Sequence, residues 1–281
     1  MQHVENLILG GGLTGLSAAY FLEKSGQGDY LLVERDDRLG GLTRTEVIDG
    51  YHFDHTGHWL HLRYPEMKQF VADVMGDAML RVARLSRIWS HGVMTPFPFQ
   101  QNLHGLPLEV VHQCTMDAIE AALAEARGET QPATNFRDFC LQRFGKGITE
   151  RFMVPYNSKL WGCPPEEITA DWCTRFLPKP NLSQILAGAL GIVDEQAGYN
   201  ASFVYPRTGG IETFAKAIAA HVPAAKVALK TVPVAVDLQN KTVQLSNGRQ
   251  LTWGRLLSSL PLPELVKLVR DVPAAVEEAT A

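Results

Sequence analysis

The sequence predicts an α/β fold, and the order of patterns in its first 34 residues supports this prediction. Residues 4–9 form a short, mostly apolar run that stops at a glycine, which is typical of a buried parallel strand. Apolar residues then recur at helical spacing over 16–25, and a second apolar run follows at 30–33. A strand, a helix and another strand in this order build parallel sheets that are covered by helices.

Composition and charge exclude several classes of protein. The chain has 281 residues, of which 46% are hydrophobic and 20% charged, so it can bury a core as one large domain or two interleaved domains. Its 26 basic and 30 acidic residues give a net charge of −4, which provides no basic surface for nucleic acid or membranes. The four cysteines form no C-x-x-C pair. We expect a cytoplasmic protein, since no apolar run is long enough to span a membrane and no basic leader precedes the first one.

A glycine-rich motif separates the first predicted strand from the helix. Its first glycine permits a tight turn, its second lets a pyrophosphate approach the backbone, and its third lets helix and strand pack closely. The acid that ends the second strand can accept a hydrogen bond from a ribose 2′-hydroxyl and would repel a 2′-phosphate. The order of these features predicts a Rossmann-like dinucleotide-binding domain. Its expected contacts are Gly10, Gly12, Leu13, Thr14, Gly15 and Glu34.

A glycine pair set between arginines follows Glu34, in the segment 35–44. This segment resembles the second FAD signature of the flavin amine oxidase and UDP-galactopyranose mutase superfamily. The resemblance implies that FAD is the cofactor, that the backbone runs close beside it, and that Arg38 or Arg44 approaches its diphosphate. Without the resemblance, a solvated turn with surface arginines would explain the same residues. The further contacts implied are Arg35, Gly40, Gly41, Leu42 and Thr43.

Four histidines at intervals of three residues, His52, His55, His58 and His61, suggest a metal site at first sight. Neither a helix nor a strand gathers all four on one side, so we predict no metal site. The segment 54–61 instead resembles the Gly-His loop over the flavin in eukaryotic-type UDP-galactopyranose mutases. That resemblance places Gly57 and His58 against the flavin ring, with His58 in a catalytic role. His61 departs from the family, which usually has an aromatic residue there.

Helical patterns dominate the middle of the chain, and two segments there resemble the UDP-sugar site of the same mutases. The resemblance assigns uracil contacts to Phe97, Phe99 and Gln100, and the nucleotide pocket to Asn157 and Trp161. Arg175 would bind the diphosphate as a second catalytic residue, with Asn200 nearby. A guanidinium suits a diphosphate because its planar fork donates two hydrogen bonds. From the residues alone, the aromatic side chains could equally be core residues and Arg175 part of a surface ion pair.

Strand patterns return near the C-terminal end. Residues 205–210 resemble the Tyr-Pro-x-x-Gly-Gly turn of the superfamily, which leads into a helix, and backbone near Val232 would hold adenine. Asn247-Gly248 between apolar runs predicts a hairpin with a type I′ turn. The predicted organisation is an FAD-binding domain in two parts, 1–61 and 201–265, a mainly helical substrate domain inserted at 62–200, and the start of a further helical segment at 266–281. This matches the first two-thirds of the family fold, without its C-terminal part.

The resemblance implies a UDP-galactopyranose mutase-like activity, in which N5 of reduced flavin attacks a UDP-sugar and the sugar ring contracts. Two alternatives stay open. The first is an amine or protoporphyrinogen oxidase-like flavoenzyme, which shares the first 44 residues and the 205–210 turn. The second is a non-catalytic FAD-binding fragment. The expected partners are a small nucleotide-sugar and either a second copy of the chain or a separate chain that completes the fold, and not a nucleic acid.

Overall fold

The computed structural model describes residues 1–173, 177, 180–192 and 202–280. It divides the chain into two compact units, Met1–Val82 with Phe203–Ala281 and Ala83–Ser202. The predicted boundary after residue 61 lies about twenty residues before the observed one. The reason is the helix Pro65–Met75, whose Phe70, Val71 and Met75 pack into the core of the first unit.

The first unit contains a six-stranded sheet in the order β10-β11-β12-β1-β2-β9. β1 lies between β12 and β2 and is parallel to both, and β2 is parallel to β9. β10 and β11 extend the sheet as antiparallel strands. These strands are β1 (Gln2–Leu9), β2 (Tyr30–Val33), β9 (Val227–Ala228), β10 (Pro233–Asp237), β11 (Thr242–Leu245) and β12 (Gln250–Ser258).

β1 is buried on both faces, as the apolar run predicted. Ile8 contributes to a core shared with α1, α2 and α7, whereas Leu7 and Leu9 face a second core with α8. Because successive side chains of a strand point to opposite faces, this alternation places helices on both sides of the sheet. The helices of the first unit are α1 (Leu13–Lys24), α2 (Pro65–Met75), α7 (Glu212–Ala219), α8 (Leu262–Leu268) and α9 (Ala274–Thr280).

Two small antiparallel sheets complete the first unit. β3 (Thr45–Ile48) and β4 (Tyr51–Asp54) form a hairpin, and β5 (Met79–Ala83) pairs with β8 (Ser202–Pro206). A 3₁₀ turn, Gly41–Thr43, directly precedes β3. The turn carries Gly41, Leu42 and Thr43 of the second glycine signature, and the segment with Gly57 and His58 follows the hairpin.

The second unit is mainly helical, in agreement with the predicted character of the inserted segment. It contains a hairpin of β6 (Arg87–Ser90) and β7 (Val93–Pro96), followed by α3 (Leu108–Ala126), α4 (Phe136–Ile148), α5 (Val154–Trp161) and α6 (Leu182–Ala189). A π-helical segment, Thr149–Met153, joins α4 to α5. The core of this unit is formed by aromatic and aliphatic side chains of α3, α4 and α6, with Cys114, Cys140 and Cys173 buried among them.

Several local predictions can be compared with this structure. The helical pattern of the middle of the chain corresponds to α3 and α4, and Asn135 caps α4, because its side chain accepts a hydrogen bond from the Asp138 N–H at 2.9 Å. β11 and β12 form the predicted hairpin around Asn247-Gly248. Its turn is not type I′, since Gly248 has a φ of +82° and Asn247 does not have a positive φ. The Gly248 N–H donates to the Leu245 carbonyl at 3.0 Å, so a four-residue turn that ends in a left-handed glycine joins the strands instead.

Candidate functional site

The glycine motif forms the connection between β1 and α1. Gly10 has a φ of +100°, which favours glycine, and its N–H donates to the Val33 carbonyl at 2.9 Å. A Cβ on Gly15 would lie 1.9 Å from the Gly10 carbonyl oxygen, so this position tolerates no side chain. The turn and the close packing expected of the first and third glycines are therefore present, and α1 begins directly after Gly12.

The two glycine signatures meet in space. The Gly40 N–H donates to the Gly11 carbonyl at 2.9 Å, and a Cβ on Gly41 would lie 2.9 Å from the Gly12 Cα. Gly12 itself has open space, because its Cβ would meet nothing nearer than Gly41 Cα at 3.9 Å. The result is a groove floor of bare backbone at the N-terminus of α1. The N–H groups of a first helical turn have no intrahelical acceptors and carry a partial positive charge, which suits phosphate groups.

Glu34, at the end of β2, is nearly buried and faces the glycine loop. One carboxylate oxygen accepts the Gly11 N–H at 2.6 Å, and the other accepts the Asp36 N–H at 2.8 Å. A carboxylate has about four acceptor sites, so each oxygen keeps the capacity for one further hydrogen bond. A Cβ on Gly11 would lie 2.9 Å from the same carboxylate, which gives Gly11 a role that the motif did not assign to it.

The arginines around the second glycine pair are engaged with acidic side chains. Arg44 donates to Asp36 at 2.5 Å and to the Gly41 carbonyl at 3.0 Å, and this pairing holds the pKa of Asp36 below its usual range. Arg38 pairs with Glu46 and lies 3.7 Å from Glu212. An open cleft of about 660 Å³ lies beside this segment. It is lined by Asp36, Asp37, Arg38, Arg44 and Lys230.

The Gly-His loop contacts the second glycine signature. The His58 Nε2 atom lies 2.8 Å from both the Leu42 carbonyl oxygen and the Thr56 Oγ1 atom. Gly57 has room, since a Cβ there would meet nothing nearer than the Trp59 ring at 3.8 Å. The structure thus brings His58 to the 3₁₀ turn Gly41–Thr43, as a shared cofactor contact would require. His61 lies apart from this turn, with its ring centroid 6.4 Å from that of Phe203.

A polar cluster that sequence reasoning missed lies beside these loops. Asp54 accepts hydrogen bonds from Thr45 Oγ1 at 2.6 Å, from the Ile211 N–H at 3.2 Å and from the Tyr205 hydroxyl. Burial acts to raise the pKa of Asp54, but these donors outweigh it and hold the pKa below its usual range. Burial, and then the bond to Asp54, raise the pKa of Tyr205 to about 12. The segments that form this cluster lie about 150 residues apart in the chain, so no local sequence pattern could reveal these contacts.

The structure gives less support to Val232 and Arg35 as cofactor contacts. The Val232 N–H donates to Ser246 Oγ at 3.1 Å, and its carbonyl accepts the Ser246 N–H at 2.9 Å. A base bound to this N–H would have to displace the Ser246 hydroxyl. Arg35 is exposed and lies 3.4 Å from Asp36. Among the described residues, no group of three or more His, Cys, Asp or Glu side chains is arranged to hold a metal ion.

The second unit corrects part of the predicted uracil site. Phe99 has no exposed surface and stacks on Phe152 with the ring centroids 4.6 Å apart. Gln100 is buried as well, at 2% exposed. Both are core residues in this structure, because packing leaves no face of either side chain open to a base. Phe97 is half-buried, with the Arg84 guanidinium 5.1 Å from its ring centroid.

The remaining predicted substrate residues differ in accessibility. Asn157 is buried and donates to the Met153 carbonyl at 2.8 Å, one turn earlier in the helical segment. Trp161 is 53% exposed and meets Trp172 edge to face, with 5.9 Å between ring centroids. Its exposed indole could stack on a base, as could Tyr156, which sequence reasoning did not single out and which stacks on Phe152. Arg175 and Asn200 lie outside the described residues.

Comparisons with known proteins agree with this nucleotide-binding geometry. Residues 8–74 match the family model of the NAD(P)-binding Rossmann-like domain. Coproporphyrinogen III oxidase of Mycobacterium tuberculosis is 30% identical over 167 residues, which cover 55% of this chain and 36% of the oxidase. A Dictyostelium discoideum protein, named probable flavin-containing monoamine oxidase A, is 37% identical over 70 residues, covering 25% of this chain and 15% of that protein.

Solved structures show the same fold over nearly the whole chain. A crystal structure of reduced UDP-galactopyranose mutase has a TM-score of 0.89 and 29% identity, and covers 99% of this chain and 60% of that one. Putrescine oxidase with bound putrescine has a TM-score of 0.63 and 16% identity, and covers 99% and 63%. The chain is similar in sequence and fold to members of the superfamily that contains UDP-galactopyranose mutases and flavin-containing amine oxidases. It spans about a third of the mycobacterial oxidase and three-fifths of the mutase.

No helix within the described ranges is long and apolar enough to cross a membrane.

Proposed function

We propose that the first unit binds FAD and that the chain acts as a UDP-galactopyranose mutase or as the major part of one. The observation that carries this proposal is the structural likeness to the mutase, which extends over 99% of the chain at 29% identity. The convergence of both glycine signatures supports FAD in particular, because the groove floor at Gly12 and Gly41 would be filled by any Cβ. A bare backbone of this kind lets a diphosphate approach closely.

The residues of the first unit that are assigned to FAD have different roles in this proposal. Gly12 and Gly41 admit the diphosphate, and the first turn of α1 donates N–H groups to it. Glu34 uses its free acceptor capacity for the ribose hydroxyl, while its charge disfavours a 2′-phosphate. His58, held by Leu42 and Thr56, would contact the flavin and tune its electronic properties through hydrogen bonding. When bound and reduced, the flavin supplies a nucleophilic nitrogen for attack on a sugar carbon.

The second unit would bind the nucleotide-sugar. Trp161 offers an exposed aromatic face to the uracil. Asn157 lies on the same helix, α5, and Phe97 lies in the other segment that resembles the mutase site. Arg175 and Asn200 would bind the diphosphate, in keeping with the resemblance. Phe99 and Gln100 are not included, because both are part of the core.

Purified chain of 281 residues, titrated with FAD and followed by visible absorbance, tests the first step. Saturable binding with a perturbed flavin spectrum is expected, and its absence would overturn the proposal. The second step is conversion of UDP-galactofuranose to UDP-galactopyranose with and without dithionite. We expect conversion only with the reduced flavin. FAD binding without turnover under either condition would instead support a non-catalytic FAD-binding chain.

A second candidate follows from the mycobacterial coproporphyrinogen III oxidase, at 30% identity over more than half of the chain. In this case the bound flavin would accept electrons from a porphyrinogen and pass them to oxygen. Release of hydrogen peroxide on addition of coproporphyrinogen III, without any response to UDP, would favour the oxidase. UDP binding together with no peroxide release would favour the mutase.

A further inference from the structure

Four polar side chains of the first unit form a cluster whose contacts no motif predicts. They are Thr45, Asp54, Tyr205 and Glu212. Thr45 and Glu212 exchange two hydrogen bonds, since the Glu212 N–H donates to Thr45 Oγ1 at 3.1 Å and the Thr45 N–H donates to the Glu212 carboxylate at 3.4 Å. The Thr45 hydroxyl hydrogen goes to Asp54. Glu212 is 4% exposed, and its charge is matched by Lys216 at 3.3 Å and Arg38 at 3.7 Å.

The backbone at Gly210 packs directly against the same cluster. Gly210, with a φ of +72°, has no space for a side chain, because its Cβ would lie 2.3 Å from Thr45 Oγ1 and 2.8 Å from Asp54. The Gly209-Gly210 turn therefore rests on the Thr45–Asp54 pair, and α7 begins immediately after it. All polar groups named here lie within the first unit.

The cluster joins two segments that converge on the proposed cofactor site. Thr45 begins β3, directly after the 3₁₀ turn Gly41–Thr43. Asp54 ends β4, and Gly57 and His58 follow it within four residues. The register Thr45↔Asp54 pairs these two positions across the hairpin, and His58 then reaches back to Leu42 at 2.8 Å. The 3₁₀ turn precedes Thr45 and the His58 loop follows Asp54. The Thr45–Asp54 hydrogen bond therefore helps to fix the distance between His58 and the turn.

We infer that Asp54 is a positioning residue for the flavin end of the cofactor site, acting through His58 and the turn Gly41–Thr43. This inference rests on the proposed FAD binding. Asp54 touches neither glycine signature, and its three donors come from three different segments. A carboxylate satisfies all three because it is an acceptor on both oxygens, whereas an amide of the same size offers one acceptor oxygen and two donor hydrogens.

The position of the cluster determines which contacts to FAD depend on Asp54. Adenosine and diphosphate contacts are assigned to Glu34 and to the floor at Gly12, which Asp54 does not contact. The ribityl and ring contacts are assigned to Leu42, Thr43 and His58, which Asp54 does position, whereas Gly41 belongs with Gly12 to the diphosphate floor. Loss of the carboxylate should therefore weaken FAD binding while ADP binding stays unchanged.

The test compares the full chain with Asp54→Asn, using Asp49→Asn as the matched control. Asp49 is an exposed residue of the same hairpin, with a φ of +52° that asparagine tolerates. Dissociation constants for FAD and ADP are measured together with the bound flavin spectrum. We expect Asp54→Asn to raise the dissociation constant for FAD about tenfold, the worth of one hydrogen bond, and to shift the flavin absorption. ADP affinity should not change, and Asp49→Asn should match the unsubstituted chain in all three measurements.

Tyr205→Phe is the second variant, for the case that Asp54→Asn does not fold. It removes one donor to Asp54 and keeps the ring, so we expect a smaller change in the same direction. Equal loss of FAD and ADP affinity would overturn the inference, since it would mean general support of the fold. Unchanged FAD affinity and spectrum in both variants would overturn it too. A chain that binds no FAD before substitution would overturn the proposed function itself, and this is recognised from the unsubstituted protein alone.

Discussion

Gly12 and Gly41 approach each other so closely that a Cβ on Gly41 would lie 2.9 Å from the Cα of Gly12. The two residues come from separate sequence signatures, one before α1 and one before β3. Their contact turns the two signatures into one surface, and the backbone hydrogen bond from Gly40 to Gly11 fixes its alignment. A change in either signature should consequently affect the same binding event.

Gly41→Ala should weaken FAD binding and lower the free energy of unfolding. The new Cβ collides with Gly12, and overpacking of this kind costs about 1–3 kcal/mol. Gly50→Ala is the matched control, because Gly50 also has a positive φ but nothing lies within 4 Å of its Cβ. Urea unfolding and FAD titration of both variants measure the difference. Equal FAD affinity in the two alanine variants would show that the Gly12–Gly41 contact is irrelevant to binding.

Gly15→Ala should be among the most damaging single substitutions in α1. Its Cβ would lie 1.9 Å from the Gly10 carbonyl oxygen and 3.2 Å from Ile8, and neither backbone nor strand can move away. We expect a loss of about 3 kcal/mol or more, against about 1 kcal/mol for Gly26→Ala, which suffers a positive φ without a collision. Thermal and urea unfolding without ligand provide the comparison. A smaller loss for Gly15→Ala than for Gly26→Ala would contradict the close packing of β1 on α1.

Asp54 should make the stability of the first unit depend on pH in the acid range. Because its pKa is held below the usual 3.8 in the folded state, the carboxylate stabilises the fold well above pH 3.8. This contribution is lost as the pH falls through the lowered pKa. Asp54→Asn should flatten the decline of unfolding free energy in this range, and Asp49→Asn should leave the decline as it is. If the unfolding free energy falls with the same slope in all three proteins, Asp54 is not the source of this pH dependence.

Trp161→Ala should weaken UDP binding without changing FAD binding. Stacking of a base on an aromatic side chain contributes about 1–3 kcal/mol, so the dissociation constant for UDP should rise about 5- to 150-fold. Trp89→Ala removes a 68% exposed indole from the β6–β7 hairpin of the same unit and serves as the control. Calorimetric titration with UDP distinguishes the two. Equal affinities would remove Trp161 from the proposed nucleotide pocket.

The nucleotide-binding half of the first unit could be predicted from local patterns. The apolar run at 30–33 predicts β2 at its observed bounds, and the β1–α1 connection follows from three glycines whose spacing has one structural meaning. The hairpin β11–β12 follows from local patterns as well, but its turn type does not. Turn type depends on the φ of Asn247, which is determined by how the strands pair rather than by the dipeptide.

Features that depend on distant contacts could not be predicted. The family resemblance assigns a base contact to Phe99, yet this residue is buried against Phe152, more than 50 positions further along the chain. The predicted first domain boundary is too early because α2 joins the core through Phe214, which belongs to a much later helix. Asp54 escapes local patterns for the same reason, since Tyr205 and Ile211 reach it across some 150 residues.

The position of β12 in the sheet has a consequence for how the protein is made. β1 pairs with β2 on one side and with β12 on the other, so this strand lacks its second neighbour until residue 258 has left the ribosome. The helical unit, Ala83–Ser202, is contiguous and emerges earlier. We expect it to fold first during translation, while the opening strand stays incomplete and exposed to chaperones.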